Sequence, residues 1–248
     1  MKILFFTGAG VSAESGLETF RGSTGLWKNH DTDLVCNFEN WRENYDLVHE
    51  FYNGRRQEIV AAQPNAFHEA VAQWSKEHDV ANVTQNIDDL FEKAGCHNVI
   101  HVHGFYQDMK CHDCDHIFPS KGDWSADAPC PNCASMRSVK PGVVFFNEPA
   151  PRYLDLFQQL HDVSEDGDGM IVVAGTSEQV LPISRMIHSE CRQWSLDTHK
   201  MERGTYNVLV NEKPLGFAMG HEVYHEAIEK RATDAVVHLK EIITRLAN

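Results

Sequence analysis

The sequence predicts an α/β protein: a parallel sheet with helices on both faces, joined to a small domain made of a four-cysteine module and a helical insert. Three observations carry this. Apolar runs at 2–6, 80–84, 170–174 and 206–210 are each followed by a polar loop and then a helical stretch, the alternation that βαβ units produce. The four loops are Gly8-Ala9-Gly10, Gln85-Asn86-Ile87-Asp88, Gly175-Thr176-Ser177 and Asn211-Glu212-Lys213. In a parallel sheet they fall along one edge, outside the carboxyl ends of the strands, where such sheets bind ligands. Finally, residues 105–140 turn rich in Cys, Asp, Ser and Pro and lose apolar periodicity.

Each element follows from its pattern. Residues 2–6 form a buried strand, and Gly16, Gly22 and Gly25 break what comes after it into a loop. Over 45–63, Leu47, Val48, Phe51, Tyr52, Ile59 and Val60 keep a period near 3.6, and Pro64 stops the helix. A helix at 66–78 turns Ala70, Val71 and Trp74 inward. The strand at 80–84 leads to a short helix that ends at Gly95, a residue suited to a C-terminal cap. A strand at 99–102 ends at His103-Gly104. Residues 105–140 hold too few apolar side chains to build a core of their own. Strand character resumes at 143–146, and 151–161 and 183–194 read as helices. Residues 164–169 read as a surface loop, and 222–247 as one or two helices. The expected organisation is a sheet domain from 1–30, 79–104 and 141–248, a helical insert at 31–78 and a cysteine module at 105–140.

The 248 residues suit one large domain or a large domain with a small one, and 42% hydrophobic and 23% charged residues are ordinary globular values. No apolar run reaches the length of about 18 residues that a spanning helix needs. The N-terminus runs straight into Gly and Ser without a long apolar core, so the expected location is the cytoplasm. The formal net charge of -14 opposes a nucleic-acid backbone and attracts cationic, Lys-bearing partners.

Four constellations carry chemistry. Gly8-x-Gly10-x-x-Ala13 after a strand fits a dinucleotide fingerprint, in which backbone N–H groups approach a pyrophosphate. A tight strand-to-helix turn reads the same way. The acid expected about 20 residues further on in an ordinary unit of this kind is replaced by a glycine-rich loop around Phe20-Arg21. Cys111-x2-Cys114-x15-Cys130-x2-Cys133 has the spacing of a tetrahedral zinc site. Four thiolates leave no open position, so that zinc is structural. The competing reading is a pair of disulfides, and His112 or His116 could replace a thiolate. His103 sits at a strand's carboxyl end and suits general-base work. His101, two residues earlier, points to the same face if the strand is regular. Tyr52 and Arg55 lie i,i+3 on one helix face and would make a carboxylate receptor, or merely a surface Arg beside a half-buried Tyr.

At these residues the chain resembles the sirtuins, NAD-dependent protein lysine deacylases. The matching blocks are 8–27, 84–90, 101–104, the two C-x-x-C pairs, 140–148, 174–177 and 211–213, in family order. The resemblance implies a Rossmann-like large domain, with NAD and an acyl-lysine peptide bound between it and the small one. It implies transfer of the acyl group from lysine to ADP-ribose with release of nicotinamide. By the same carry-over Gly8, Ala9, Gly10 and Ala13 hold the pyrophosphate, Phe20 and Arg21 lie over the nicotinamide end, and Trp27 belongs to the cofactor site. Gln85, Asn86, Ile87 and Asp88 position the ribose and nicotinamide, Asn86 and Asp88 acting beside the base His103. Gly175, Thr176, Ser177, Asn211, Glu212, Lys213 and Ala232 hold the adenosine half. Val144, Phe145, Phe146 and Asn147 pair with the substrate backbone. Tyr52-x-x-Arg55 resembles the subclass that removes succinyl and malonyl groups, whose members often retain deacetylase activity. Phe91, His101 and Asn147 depart from the usual His, Glu and Gly, and Cys36 falls near the acyl-pocket wall. NAD hydrolysis or ADP-ribosyl transfer from the same site, and a non-catalytic NAD-sensing module, are the competing functions.

Overall fold

The computed structural model describes residues 1–19, 31–120, 122–165, 167, 169–191, 193–194, 201–202, 204–213, 215 and 223–248. Its main elements, in chain order, are β1 (Lys2–Thr7), α1 (Tyr45–Ala61), α2 (Ala66–Glu77), β2 (Asp79–Thr84), β3 (Ile100–His101), β4 (Gly104–Cys111), β5 (Ile117–Pro119), β6 (Val139–Val143), α3 (Tyr153–Ser164), β7 (Met170–Ala174), α4 (Ile183–Glu190), β8 (Tyr206–Val210), β9 (Glu226–Ile228) and α5 (Ala232–Ala247). Six strands form a sheet in the order β9-β8-β7-β1-β2-β3, and every pairing in it is parallel.

Strand periodicity builds the two faces. Ile3 and Phe5 of β1 point to one side, where they pack with Phe67, Val71 and Trp74 of α2 and Leu239 and Ile242 of α5. Leu4 and Phe6 point to the other, against Leu156 and Leu160 of α3 and Ile183 and Ile187 of α4. A sheet covered on both faces needs apolar residues at every strand position, which is why 170–174 reads as an unbroken apolar run.

Helix ends lie close to their sequence signals. Asn65 caps α2 and also ties its side chain to Val11 O (2.8 Å). Lys93 Nζ donates to Ile59 O (2.8 Å) and Ala62 O (3.1 Å) at the carboxyl end of α1, where a cation is favoured. Gly95 takes φ +100° after the short helix Leu90–Lys93, as a C-terminal cap should.

Four expectations are corrected. Leu47 and Val60, counted towards the apolar face of α1, are 39% and 60% exposed; Tyr45, Val48, Phe51, Tyr52 and Ile59 make that face. Residues 226–228 form an edge strand, not part of a helix, because β8 still offers it a free edge. The strand expected at 143–146 ends at Val143, and Phe146 instead bridges to Asn37. The loop after β1 opens into two 3₁₀ turns, Ala9–Val11 and Ala13–Ser15, in place of a helix.

A second sheet, antiparallel in the order β5-β4-β6, carries the cysteines. Among the described residues its buried cluster is Met109, Cys111, Cys130 and Val139, with Cys114, Phe118 and Trp124 half-buried against it. Between the two sheets, Tyr45, Val48, Phe51, Tyr52 and Ile59 of α1 pack against Tyr106, Val143 and Phe145.

Candidate active site

A cleft of about 870 Å³ opens at the carboxyl edge of the large sheet. All four polar loops contribute to it: Gly8, Ala9 and Gly10 after β1, Gln85, Asn86 and Ile87 after β2, Gly175, Thr176 and Ser177 after β7, and Asn211, Glu212 and Lys213 after β8. Ala13, His103, Ala232, Tyr52 and the segment Val144, Phe145, Phe146, Asn147 complete its walls. Phe20, Arg21 and Trp27 lie outside the described residues.

The glycines do their work between loops. Gly175 has φ +63°, and a Cβ added to Gly10 would lie 2.7 Å from Gly175 Cα. The N–H groups of Gly8 and Gly10 are already bonded to Ala174 O (3.0 Å) and Gly175 O (2.9 Å). The fingerprint thus closes two loops upon one another, beyond the backbone approach to a ligand that its spacing suggests.

Behind this edge runs a buried polar chain. Asn86 Nδ2 donates to Gly8 O (3.1 Å) and Ser12 Oγ (2.9 Å), and Ser12 Oγ donates to Asp88 Oδ2 (2.9 Å). Burial pushes the Asp88 carboxyl up, opposed by its bonds from Ser12 and the Leu90 N–H. Asp88 stands behind the cleft wall, whereas Asn86 faces the cleft. Ser12 lies inside the glycine loop, and nothing in the sequence spacing marks its bond to Asp88. Gln85 Nε2 donates to Thr176 Oγ1 (3.2 Å), and Asn211 Nδ2 to Thr176 O (3.0 Å), so one threonine ties three loops.

His101 and His103 are separated by the chain itself. The strand ends at His101, so the expected shared face does not form. His101 is buried, its Nδ1 2.7 Å from Asn86 O and its Nε2 2.8 Å from Glu92 Oε1. His103 lines the cleft, with Nδ1 3.1 Å from Gln85 O and Nε2 2.9 Å from Tyr153 Oη. Burial drives the His103 imidazole down to about 4. Tyr153 also lines the cleft, and no motif in the sequence marks it.

At the far end Tyr52 is buried, stacks on Phe145 at 5.6 Å and donates its hydroxyl to Cys36 Sγ (3.4 Å). Arg55 is buried on the same helix but lies outside the cleft lining. Its Nη1 pairs with Glu58, and among the described residues its Nε has no hydrogen-bond partner. The next residue, Arg56, is held structurally by Tyr106 O (3.0 Å) and Asn53 Oδ1 (2.7 Å). Fully buried Lys140 meets Glu148 Oε2 (3.0 Å) and Val143 O (2.6 Å), and Glu148 Oε2 accepts from Phe145 N (2.9 Å). This pair props the 144–147 segment. Asn147 sits at φ +64°, a left-handed conformation that Asn tolerates better than most residues, so it can stand where a glycine is usual. Phe91 meets the buried His68 ring edge to face at 4.7 Å.

The four cysteine sulfurs lie within 4.8 Å of one another. Two of the separations are 3.7 Å (Cys111–Cys133) and 3.8 Å (Cys114–Cys130). Zinc–sulfur bonds of about 2.3 Å at tetrahedral angles put sulfurs about 3.8 Å apart, and a disulfide would need about 2.0 Å. The residues therefore fit a four-thiolate structural zinc, and all seven cysteines are free. His112 and His116 stand outside the cluster, against Trp41 and Phe118 respectively.

A parallel-sheet nucleotide fold with a glycine-lined cleft and a separate cysteine module defines a narrow class. The Sir2 family model matches residues 8–182, and the chain belongs to that family. It is 44% identical over 206 residues to an NAD-dependent protein deacylase of Helicobacter hepaticus, covering 75% of this chain and 78% of that one. It is 32% identical to one of Vibrio cholerae, covering 98% and 92%. A solved complex of a Sir2 homolog with NAD superposes with a TM-score of 0.79 at 28% identity, over 99% of this chain and 90% of that one. Among the described residues no helix is long and apolar enough to cross a membrane.

Proposed function

We propose that this protein is an NAD-dependent protein lysine deacylase that removes succinyl and malonyl as well as acetyl groups, passing the acyl group to ADP-ribose as nicotinamide leaves. The observation that carries this reading is the placement of His103 in one continuous cleft between the loops at Gly8 and Gly175 and the pocket at Tyr52.

When bound, NAD supplies an electrophilic ribose carbon and accepts the acyl group. Gly8, Ala9, Gly10 and Ala13 receive its pyrophosphate, and Gly175, Thr176, Ser177, Asn211, Glu212, Lys213 and Ala232 its adenosine half. Gln85, Asn86 and Ile87 orient the nicotinamide ribose, with Asp88 holding Asn86 through Ser12. Phe20 and Arg21 belong at the nicotinamide end on this reading, and Trp27 in the cofactor site. His103 takes the proton of a ribose hydroxyl, and burial keeps Nε2 unprotonated before that step. Residues 144–147 receive the substrate backbone as an added strand, and Tyr52 with Arg55 receives a terminal carboxylate. In this scheme 1–30, 79–104 and 141–248 form the coenzyme domain, with 31–78 and 105–140 as the smaller part. A reducing, cytoplasmic setting suits four free zinc thiolates.

The test is an acyl-peptide panel (acetyl, malonyl, succinyl) with and without NAD, read by mass. Acyl-ADP-ribose with an unmodified lysine supports the reading. Free ADP-ribose with the peptide unchanged means NAD hydrolysis, and ADP-ribosylated peptide means transfer.

A further inference from the structure

Both ring nitrogens of His103 are engaged. Nδ1 lies 3.1 Å from a carbonyl oxygen, that of Gln85. A carbonyl has no proton to give, so Nδ1 carries the ring's hydrogen. A neutral imidazole then offers only a lone pair at Nε2, and the Tyr153 hydroxyl, 2.9 Å away, is the donor. Burial acts consistently on both partners, lowering the imidazole and raising the phenol, so the ring stays neutral and the phenol keeps its proton. Tyr153 is the first residue of α3, whose Leu156 and Leu160 are locked against the sheet. The phenol is thus presented by a fixed element.

An sp² ring nitrogen has one lone pair. A ribose hydroxyl that hands its proton to His103 must donate to Nε2, the atom that Tyr153 occupies. We propose that Tyr153 is a positioning residue for His103, a protein hydroxyl that stands where the ribose hydroxyl of NAD donates and is displaced when NAD binds. This rests on the reading of His103 as the base. One O–H···N bond replaces another, so the ring keeps its tautomer and its bond to Gln85. In the following step the ribose O–H bond breaks and an N–H bond forms at Nε2, so His103 becomes imidazolium and the electron pair stays on the ribose oxygen, which turns it on the acyl carbon. The displaced phenol keeps its own proton throughout.

The variant Tyr153→Phe keeps the ring and removes only the hydroxyl. The KM for NAD is expected to fall about two- to tenfold, the worth of one neutral hydrogen bond that no longer has to be displaced, with kcat moving less. In the coenzyme-free protein the ¹⁵N resonance of His103 Nε2 is expected to move downfield, as a lone pair does on losing its donor. Tyr153→Leu, which also loses the ring, should lower KM in the same direction, and thermal melting of both variants reports on folding. An unchanged KM together with an unchanged resonance overturns the proposal, as does a loss of kcat at constant KM. The His103→Ala variant separates the two failures. Full deacylation by it would sink the base reading, while the resonance shift in Tyr153→Phe still reports on the pairing alone.

Discussion

His103 shows how burial sets chemistry at a single residue. An exposed imidazole would be half protonated near pH 6.5; this one titrates near 4. Its lone pair is available wherever the pH exceeds that value. The kcat/KM for NAD should therefore rise as pH climbs through about 4 and show no further His103-dependent limb near 6.5. A profile that rises through 6.5 and loses that limb in His103→Gln would contradict this. His103→Ala should lower deacylation about 10²–10⁴-fold while calorimetry still detects NAD binding. The sequence shows His103 by its place after a strand, but its separation from His101 depends on a two-residue strand end that no periodicity announces. Ser12 and Tyr153 were illegible for a related reason. Each matters through a partner 76 or 50 positions away, and a one-dimensional pattern does not contain that pairing.

At the scale of elements, α1 carries the acyl-selectivity question. Tyr52 and Arg55 are on one helix, as their spacing implies, yet their polar groups point to partners of their own: Cys36 for the phenol and Glu58 for the guanidinium. Glu58 is 54% exposed, so its pairing is screened by water and breaks at little cost. On the proposed reading, a substrate carboxylate that reached Arg55 from the cleft would compete with Glu58 for it. Arg55→Met should lower desuccinylation at least tenfold more than deacetylation, measured as kcat/KM on matched peptides. Glu58→Gln should act in reverse, raising desuccinylation a few-fold and leaving deacetylation level. Equal effects on both acyl groups in either variant would remove the carboxylate clamp. The glycine loops are elements of another kind. Gly10→Ala would push a methyl group into the Gly175 backbone, and this should cost about 1–3 kcal/mol in denaturant titration. That the loops converge is legible from strands followed by polar residues; that they touch through glycines is not, because the contact joins β1 and β7, which are 163 residues apart in sequence from Thr7 to Met170.

For the whole molecule, the cysteine module and the cleft are mechanically one path. β4 pairs with β6 from the Cys111–Val139 register to Gly104–Val143. β6 then continues into 144–147, where Val144 N donates to His103 O (2.9 Å) and Phe146 N to Cys36 O (2.9 Å). Among the described residues the module's own apolar cluster is four buried side chains, two of them cysteines, with Cys114, Phe118 and Trp124 half-buried against them, so a metal would supply much of what holds the four sulfurs together. Removing zinc with a chelator should loosen β4 and β6 first and disturb the segment proposed to receive peptide. The six-stranded sheet and its glycine loops have their own packed faces and should persist. The expected outcome is a lower melting temperature, a KM for peptide raised several-fold or more, and an affinity for NAD that changes much less. About one zinc per chain should be lost in parallel, and restoring zinc should restore peptide affinity. If peptide and NAD affinities fell together, the metal would be supporting the whole fold, and the idea of a path from the thiolates to the peptide strand would be wrong.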